Sequence, residues 1–173
     1  MRKVLLVDIN DNILGEETKE NAHKEPKLHR AFSVFLYKDN KLLVQKRARD
    51  KYHSGGLIAN TCCSHQSAGL KTIECAKQRL IEELGIENVR LDEIFTFTYL
   101  TKFNDNLYEY ELDHVLVGKF DGEYVINPEE VEELYWIDIK ELKKDMVVNP
   151  KKYATWFLIA CPKVIEYLEH KGE

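Results

Sequence analysis

The chain has 173 residues with a formal net charge of -5, 44% hydrophobic and 32% charged residues. That is ordinary globular composition, enough to bury a core as one domain over residues 1–173, and it excludes a disordered chain. The net negative charge gives no electrostatic reason to expect nucleic acid, and no apolar run approaches the roughly 20 residues of a membrane span. Met1-Arg2-Lys3 leads into an apolar stretch that breaks at Asp8, too short for a signal peptide. The four cysteines (Cys62, Cys63, Cys75, Cys161) form no CxxC pair, so free thiols in a reducing cytoplasm are expected.

Residues 4–9 read as a first strand, and Asp11-Asn12 turns it toward 13–15. A second strand follows at 30–37, with Asp39-Asn40 as a hairpin turn and a return over 41–45. Residues 46–57 form a polar loop ending in Gly55-Gly56. Thr72 is a candidate cap for a helix to residue 84, whose apolar stripe is Ile73, Ala76, Leu80 and Leu84, and Gly85 ends it. Residues 91–100 and 108–120 read as paired strands and 134–137 as a short one. A small helix begins at 139. Asn149-Pro150 predicts a cap and first turn of a helix through residue 156, with Pro162 interrupting it and starting a last helix to about 170. Strands on both sides of a central helix suggest an α+β or α/β sandwich with a mixed sheet.

Glu109 and Glu111 alternate onto one face of a strand, about 7 Å apart. Alone, such a pair reads as a solvated outer face. Cys63 and His65 likewise share a face of any extended segment. His23, His29 and His65, which have polar neighbours, offer with Glu109 and Glu111 a nitrogen and oxygen set suited to Mn²⁺, Zn²⁺ or Mg²⁺. His53, His114 and His170 read as ordinary surface or core residues. On the helix, Arg79 and Glu83 are spaced for an i,i+4 ion pair, or for an anion and a metal held side by side. Lys19, Arg47 and Lys51, flanked by no matching acidic run, read singly as surface charge. Converging with Arg79, they would suit a diphosphate.

These residues resemble type I isopentenyl-diphosphate isomerases. Asn60-Thr61-Cys62-Cys63-Ser64-His65 is similar to that family's central signature, and Tyr108-Glu109-Tyr110-Glu111 to its Glu-x-Glu strand. His23 and His29 stand before Ala31-Phe32-Ser33 as its two early histidines do, and Ala154-Thr155-Trp156-Phe157 resembles its tryptophan helix. The resemblance implies a Nudix-type α/β/α sandwich. It also implies a first metal on His23, His29, His65, Glu109 and Glu111, and a Mg²⁺ carried on the diphosphate near Glu83 and the Cys63 carbonyl. Lys19, Arg47, Lys51 and Arg79 would contact the diphosphate. Cys63 and Glu111 would be the acid/base pair, with Tyr99 assisting Glu111 and Trp156 stacking over the reacting carbon. The expected partner is a small prenyl diphosphate, acted on by a monomer or weak dimer in the cytoplasm.

Two positions depart from the family pattern: Ile58 stands where a Trp is usual, and Gln66 where a Pro follows the His. The Nudix box is degenerate as well, since Glu82-Glu83-Leu84-Gly85-Ile86 fits its end while Ser64, Leu70, Gln78 and Arg79 occupy positions a hydrolase fills with Gly, Glu, Arg and Glu. That argues against the alternative of a Nudix-fold diphosphate hydrolase. A non-catalytic binding module is a third reading, against which an intact Cys63/Glu111 pair counts.

Overall fold

The computed structural model describes residues 2–104 and 106–171, leaving Met1 of the expected start outside. Nine strands join one mixed sheet. At its centre is β3 (His29–Lys38), an apolar run buried on both faces. It pairs antiparallel with β1 (Lys3–Val7), β4 (Lys41–Arg47) and β6 (Cys62–His65), and parallel with β8 (Leu107–Lys119). A hairpin joins β7 (Asp92–Asn104) to β8, while β2 (Ile13–Thr18) pairs β1, and β5 (Ile58–Ala59) and β9 (Val131–Asp138) both pair β4.

Alternation along β3 builds two cores. Phe32, Val34 and Leu36 pack with Ala76, Leu80 and Leu84 of α2 (Thr72–Leu84). On the opposite face Phe35, Val115 and Val117 meet α3 (Ile139–Val148) and α4 (Thr155–Lys171) through Leu142, Phe157, Ala160 and Val164. The architecture is the expected α/β/α sandwich.

The expected strands and α2 are present, with shifted ends: β3 begins at His29 and so carries that histidine on the sheet. Gly85 ends α2 at φ 62°, where a Cβ would meet the Val125 carbonyl at 3.3 Å. Three expectations fail. The cap of α2 is Lys71, not Thr72: the Glu74 carboxylate accepts from the Lys71 N–H at 2.8 Å, and the Thr72 hydroxyl donates to Gln66 Oε1 instead. The predicted helix over 149–156 is only a 3₁₀ turn, Pro150–Lys152, and Asn149 makes no side-chain cap. Tyr153 and Ala154 leave the helical path to meet Ile58, whose carbonyl accepts from the Ala154 N–H at 2.9 Å. Finally, Pro162 does not break the last helix, since α4 runs through it. A mid-helix proline costs about 3 kcal/mol. Burial of Trp156, Phe157, Ala160, Cys161, Val164 and Ile165, at about 1.5–3 kcal/mol for each large side chain, outweighs it.

Three elements lay outside the sequence reading: the short strands β5 and β6, and α1 (Lys19–Lys24). The six-residue α1 has no apolar period to betray it; Thr18 caps it, its hydroxyl accepting from the Asn21 N–H at 3.2 Å. It delivers Lys19 and His23 to the sheet. The loop after β4 is polar as expected, and Gly55 is required there because a Cβ would lie 2.3 Å from the Arg49 carbonyl oxygen.

Candidate active site

Strand pairing puts the chemistry on the α4 face of the sheet. His29 lies beside Glu111 and Ala31 beside Asp113 across β3 and β8; Cys63 and His65 of β6 stand opposite Ser33 and Ala31, and Tyr99 of β7 stands opposite Glu111. Paired residues share a face. The odd-numbered column of β8 therefore runs from Glu109, Glu111 and Asp113 into the apolar Val115 and Val117, joining the site directly to the core.

His23, His29, His65 and Glu109 converge, with one ligand atom of each within 4.8 Å of all the others. Glu111 adjoins them, its Oε2 3.1 Å from His65 Nε2. Protonation on the rings is set by the backbone. The Lys19 carbonyl lies 2.5 Å from His23 Nδ1 and the Lys27 carbonyl 2.8 Å from His29 Nδ1. A carbonyl only accepts, so each Nδ1 carries a proton, which in the neutral tautomer leaves the Nε2 lone pair turned inward. There both meet Glu109 Oε1, at 2.8 and 2.9 Å. His23 Nε2 is fully buried and, despite that distance, is not angled for a hydrogen bond. Lone pairs facing a carboxylate at this range need a cation or added protons between them. This donor set fits a divalent metal ion. Burial pushes Glu109 up, yet four surrounding imidazoles outweigh it and hold its carboxyl well below the usual range. Burial lowers His65 while Glu109 and Glu111 raise it, to about 9 in the metal-free site.

Beside this cluster a pocket is lined by Cys63, Glu111 and Trp156, three of the residues expected to act on substrate. Tyr99, buried behind them, donates to Glu111 Oε1; burial and then Glu111 push its hydroxyl well above the usual range. Burial pushes the Cys63 thiol up to about 12, with Arg47 pulling the other way. The Arg47 guanidinium lies 3.6 Å from Cys63 Sγ and 5.0 Å from the Trp156 ring centroid. Trp156 is held by a 2.9 Å bond from its Nε1–H to Asn60 Oδ1, whose amide in turn donates to the Val34 and Cys62 carbonyls.

The pocket continues past β6, which among the described residues pairs only with β3, to the α2 side. There Glu83 Oε2 accepts from the Cys62 thiol at 2.8 Å and Oε1 from Arg79 at 2.8 Å. Arg79 thus makes the i,i+4 pair read from sequence, and also reaches Glu82 and Glu130. Lys51 pairs with Glu130 too, so an acidic partner remote in sequence supplies what no local run does. Lys19 and Arg47 line the same pocket without a carboxylate partner among the described residues. Burial, then Arg2 and Lys51, lower the Lys19 amine.

Several pocket residues escaped the sequence reading. His53, read as ordinary, lies with Nε2 2.6 Å from Glu109 Oε2. Asp113 is buried, takes a 2.8 Å bond from Ser33, and burial, then Glu111, pushes it well above the usual range. Its place two residues beyond Glu111 was the available signal. Arg2 lines the pocket and donates to Ser64 Oγ at 2.8 Å; nothing in its local pattern marks it. The two departures fall at the margin: Ile58 pairs with Tyr153 in the segment just before α4, and Gln66 braces the entry to α2 by donating to the Leu70 carbonyl at 2.9 Å. His114 lies on the opposite face, between Asp11 and Glu93.

A NUDIX domain model matches residues 27–157. The chain is 42% identical over 164 residues to isopentenyl-diphosphate Delta-isomerase 2 of Aromatoleum aromaticum, covering 94% of this chain and 86% of that one. It is 42% identical over 156 residues to the isopentenyl-diphosphate Delta-isomerase of Serratia proteamaculans, covering 90% and 87%. The chain belongs to the isopentenyl-diphosphate Delta-isomerase family, on the NUDIX fold. The crystal structure of DR0079 from Deinococcus radiodurans has the same fold, with a TM-score of 0.69 at 17% identity, covering 86% of this chain and 90% of that one. A MutT protein from Methanosarcina mazei shares it at 0.63 and 12%, covering 84% and 96%. At such identities these two speak for the fold alone. The isomerase relatives match over 94% and 90% of this chain.

Proposed function

We infer that this chain interconverts isopentenyl diphosphate and dimethylallyl diphosphate by moving a proton on and a proton off the hydrocarbon. The observation that carries the reading is that Cys63, Glu111 and Trp156 line one pocket beside the His/Glu cluster, in a chain whose curated relatives bear that activity as their name. Protonation of the terminal methylene places positive charge on the branched carbon. Loss of a proton from the neighbouring chain carbon sets the double bond in its new position, so no atom is gained or lost.

Cys63 and Glu111 are the acid/base pair. They project from different strands, and Tyr99 steadies Glu111 by hydrogen bond. Trp156 offers its ring face to the cation. Water reaching that cation would capture it, so the reaction requires the pocket to close around the substrate. His23, His29, His65, Glu109 and Glu111 would hold one divalent ion, Mn²⁺ or Zn²⁺, which supplies positive charge that fixes the protonation state of Glu111. Glu83 and the Cys63 carbonyl would help hold a Mg²⁺ arriving with the diphosphate. Lys19, Arg47, Lys51 and Arg79 would bind the diphosphate itself, with Lys51 and Arg79 shared between it and Glu130. The whole chain acts as one Nudix-fold unit in the cytoplasm, a monomer or weak dimer with no nucleic-acid or membrane partner.

The test is incubation with isopentenyl diphosphate and both metals in D₂O, followed by proton and phosphorus NMR. Dimethylallyl diphosphate carrying deuterium in a methyl group, without free phosphate, is the expected result. Phosphate release without isomerisation would favour a hydrolase and sink this reading.

A further inference from the structure

We propose that His53 is a positioning residue of the metal centre, which fixes Glu109 from outside the ligand set. The proposal rests on reading the His/Glu cluster as a metal site.

Glu109 divides its two oxygens. Oε1 faces His23 and His29 at 2.8 and 2.9 Å, and His65 at 3.5 Å. Oε2 faces His53 Nε2 at 2.6 Å. The rings also differ in where their protons sit. Backbone carbonyls fix the proton of His23 and His29 on Nδ1, so Nε2 is an inward lone pair. His53 Nδ1 has no carbonyl partner; it faces the Ser54 hydroxyl at 3.1 Å, which can donate. With Nδ1 accepting, the proton of the neutral ring lies on Nε2 and points at Glu109. His53 is therefore a donor to the carboxylate where His23 and His29 present lone pairs, and it falls outside the four converging donors. A hydrogen bond to the far oxygen of a carboxylate ligand limits its rotation and aims the near oxygen.

The ring is itself immobilised. It stacks on Phe103 at 4.3 Å and 10°, meets Trp156 edge-on at 5.7 Å, and its backbone carbonyl accepts from Arg47 at 3.3 Å. The arrangement ties the loop that bears Lys51 to the metal centre.

The test titrates Zn²⁺ into metal-free full-length protein against a chromophoric chelator. His53→Ala is expected to weaken Zn²⁺ binding about 10–100-fold. His53→Gln, whose amide N–H can occupy the place of Nε2–H, should stay within a few-fold of wild type. His53→Asn, too short to reach Glu109, should resemble Ala, so the Asn and Gln pair carries the comparison if the Ala protein does not fold. Wild-type affinity in His53→Ala would overturn the proposal, and so would equal loss in the Gln and Asn variants, which would make His53 a ligand or a packing residue. His29→Ala tests the parent reading separately. If wild type binds no Zn²⁺ tightly, or His29→Ala binds it like wild type, the metal centre itself is wrong.

Discussion

Cys63 and Glu111 face one pocket from two different strands. If they move the protons, Cys63→Ala and Glu111→Gln each lower kcat by about 10²–10⁴-fold, with the fold retained by circular dichroism. Near-normal turnover in either would end the assignment. Trp156 separates two roles. Trp156→Phe keeps an aromatic face but strands the buried Asn60 Oδ1, so it should cost about 1–3 kcal/mol of stability with a modest effect on rate. Trp156→Ala also loses the cation–π term of about 2 kcal/mol, roughly a further 30-fold in kcat; equal rate loss in both variants would assign the ring to packing. At this scale the sequence was most informative where spacing forces geometry: the i,i+2 pairs Glu109/Glu111 and Cys63/His65 do share a face. It misjudged His53, read as an ordinary residue because a loop histidine has no periodicity, and did not reveal the Arg79–Glu130 and Lys51–Glu130 pairs, which join remote positions.

Whole elements were legible in proportion to how much local chemistry specifies them. The longer strands carry apolar runs or alternation and α2 a helical pattern; α1, at six residues, and the short β5 and β6 do not. Pro162 misled because a local rule was outweighed by burial of one side of α4. The end of α2 offers a clean check on local specification. Gly85 sits at φ 62°, and its N–H bonds the Ile81 carbonyl at 2.9 Å. Gly85→Ala should cost about 1–2 kcal/mol, from the left-handed penalty, plus whatever shift the Val125 carbonyl must make. Urea unfolding of the metal-free protein would show a lower midpoint with unchanged slope. An unchanged midpoint would mean that the turn relaxes freely. The short α1 couples stability to function more directly. Removing its cap by Thr18→Ala, worth about 1 kcal/mol, should loosen the helix that carries His23 and so weaken Zn²⁺ binding even though Thr18 touches no ligand.

For the molecule as a whole, the unusual feature is a cluster of carboxylates and imidazoles built into the core rather than set on the surface. No helix among the described residues is long and apolar enough to cross a membrane, and this buried charge must be balanced within the fold. The signs can be worked out for protein stripped of metal. Glu109 is held below its ordinary value, so its contribution is present above the usual carboxylate range and is lost only as pH falls through the depressed folded value. His65 is raised from 6.5 to about 9, so its contribution is full below 6.5 and is lost as pH climbs toward 9. Asp113, raised by burial and by Glu111, is a buried neutral acid whose unfolded form ionises readily, so it too disfavours the fold as pH rises. Metal-free protein should therefore have its highest melting temperature in mildly acid solution and lose stability toward pH 9. A divalent ion acts in the opposite sense, because it binds deprotonated imidazoles and competes with protons. Zn²⁺ at about 100 times its Kd adds roughly 2.7 kcal/mol, and that gain should grow from acid to alkaline pH as His65 is freed of its proton. Melting curves with and without Zn²⁺ across this range would show two lines diverging as pH rises. Parallel lines would mean that the ion binds elsewhere, at groups that do not titrate with the buried cluster.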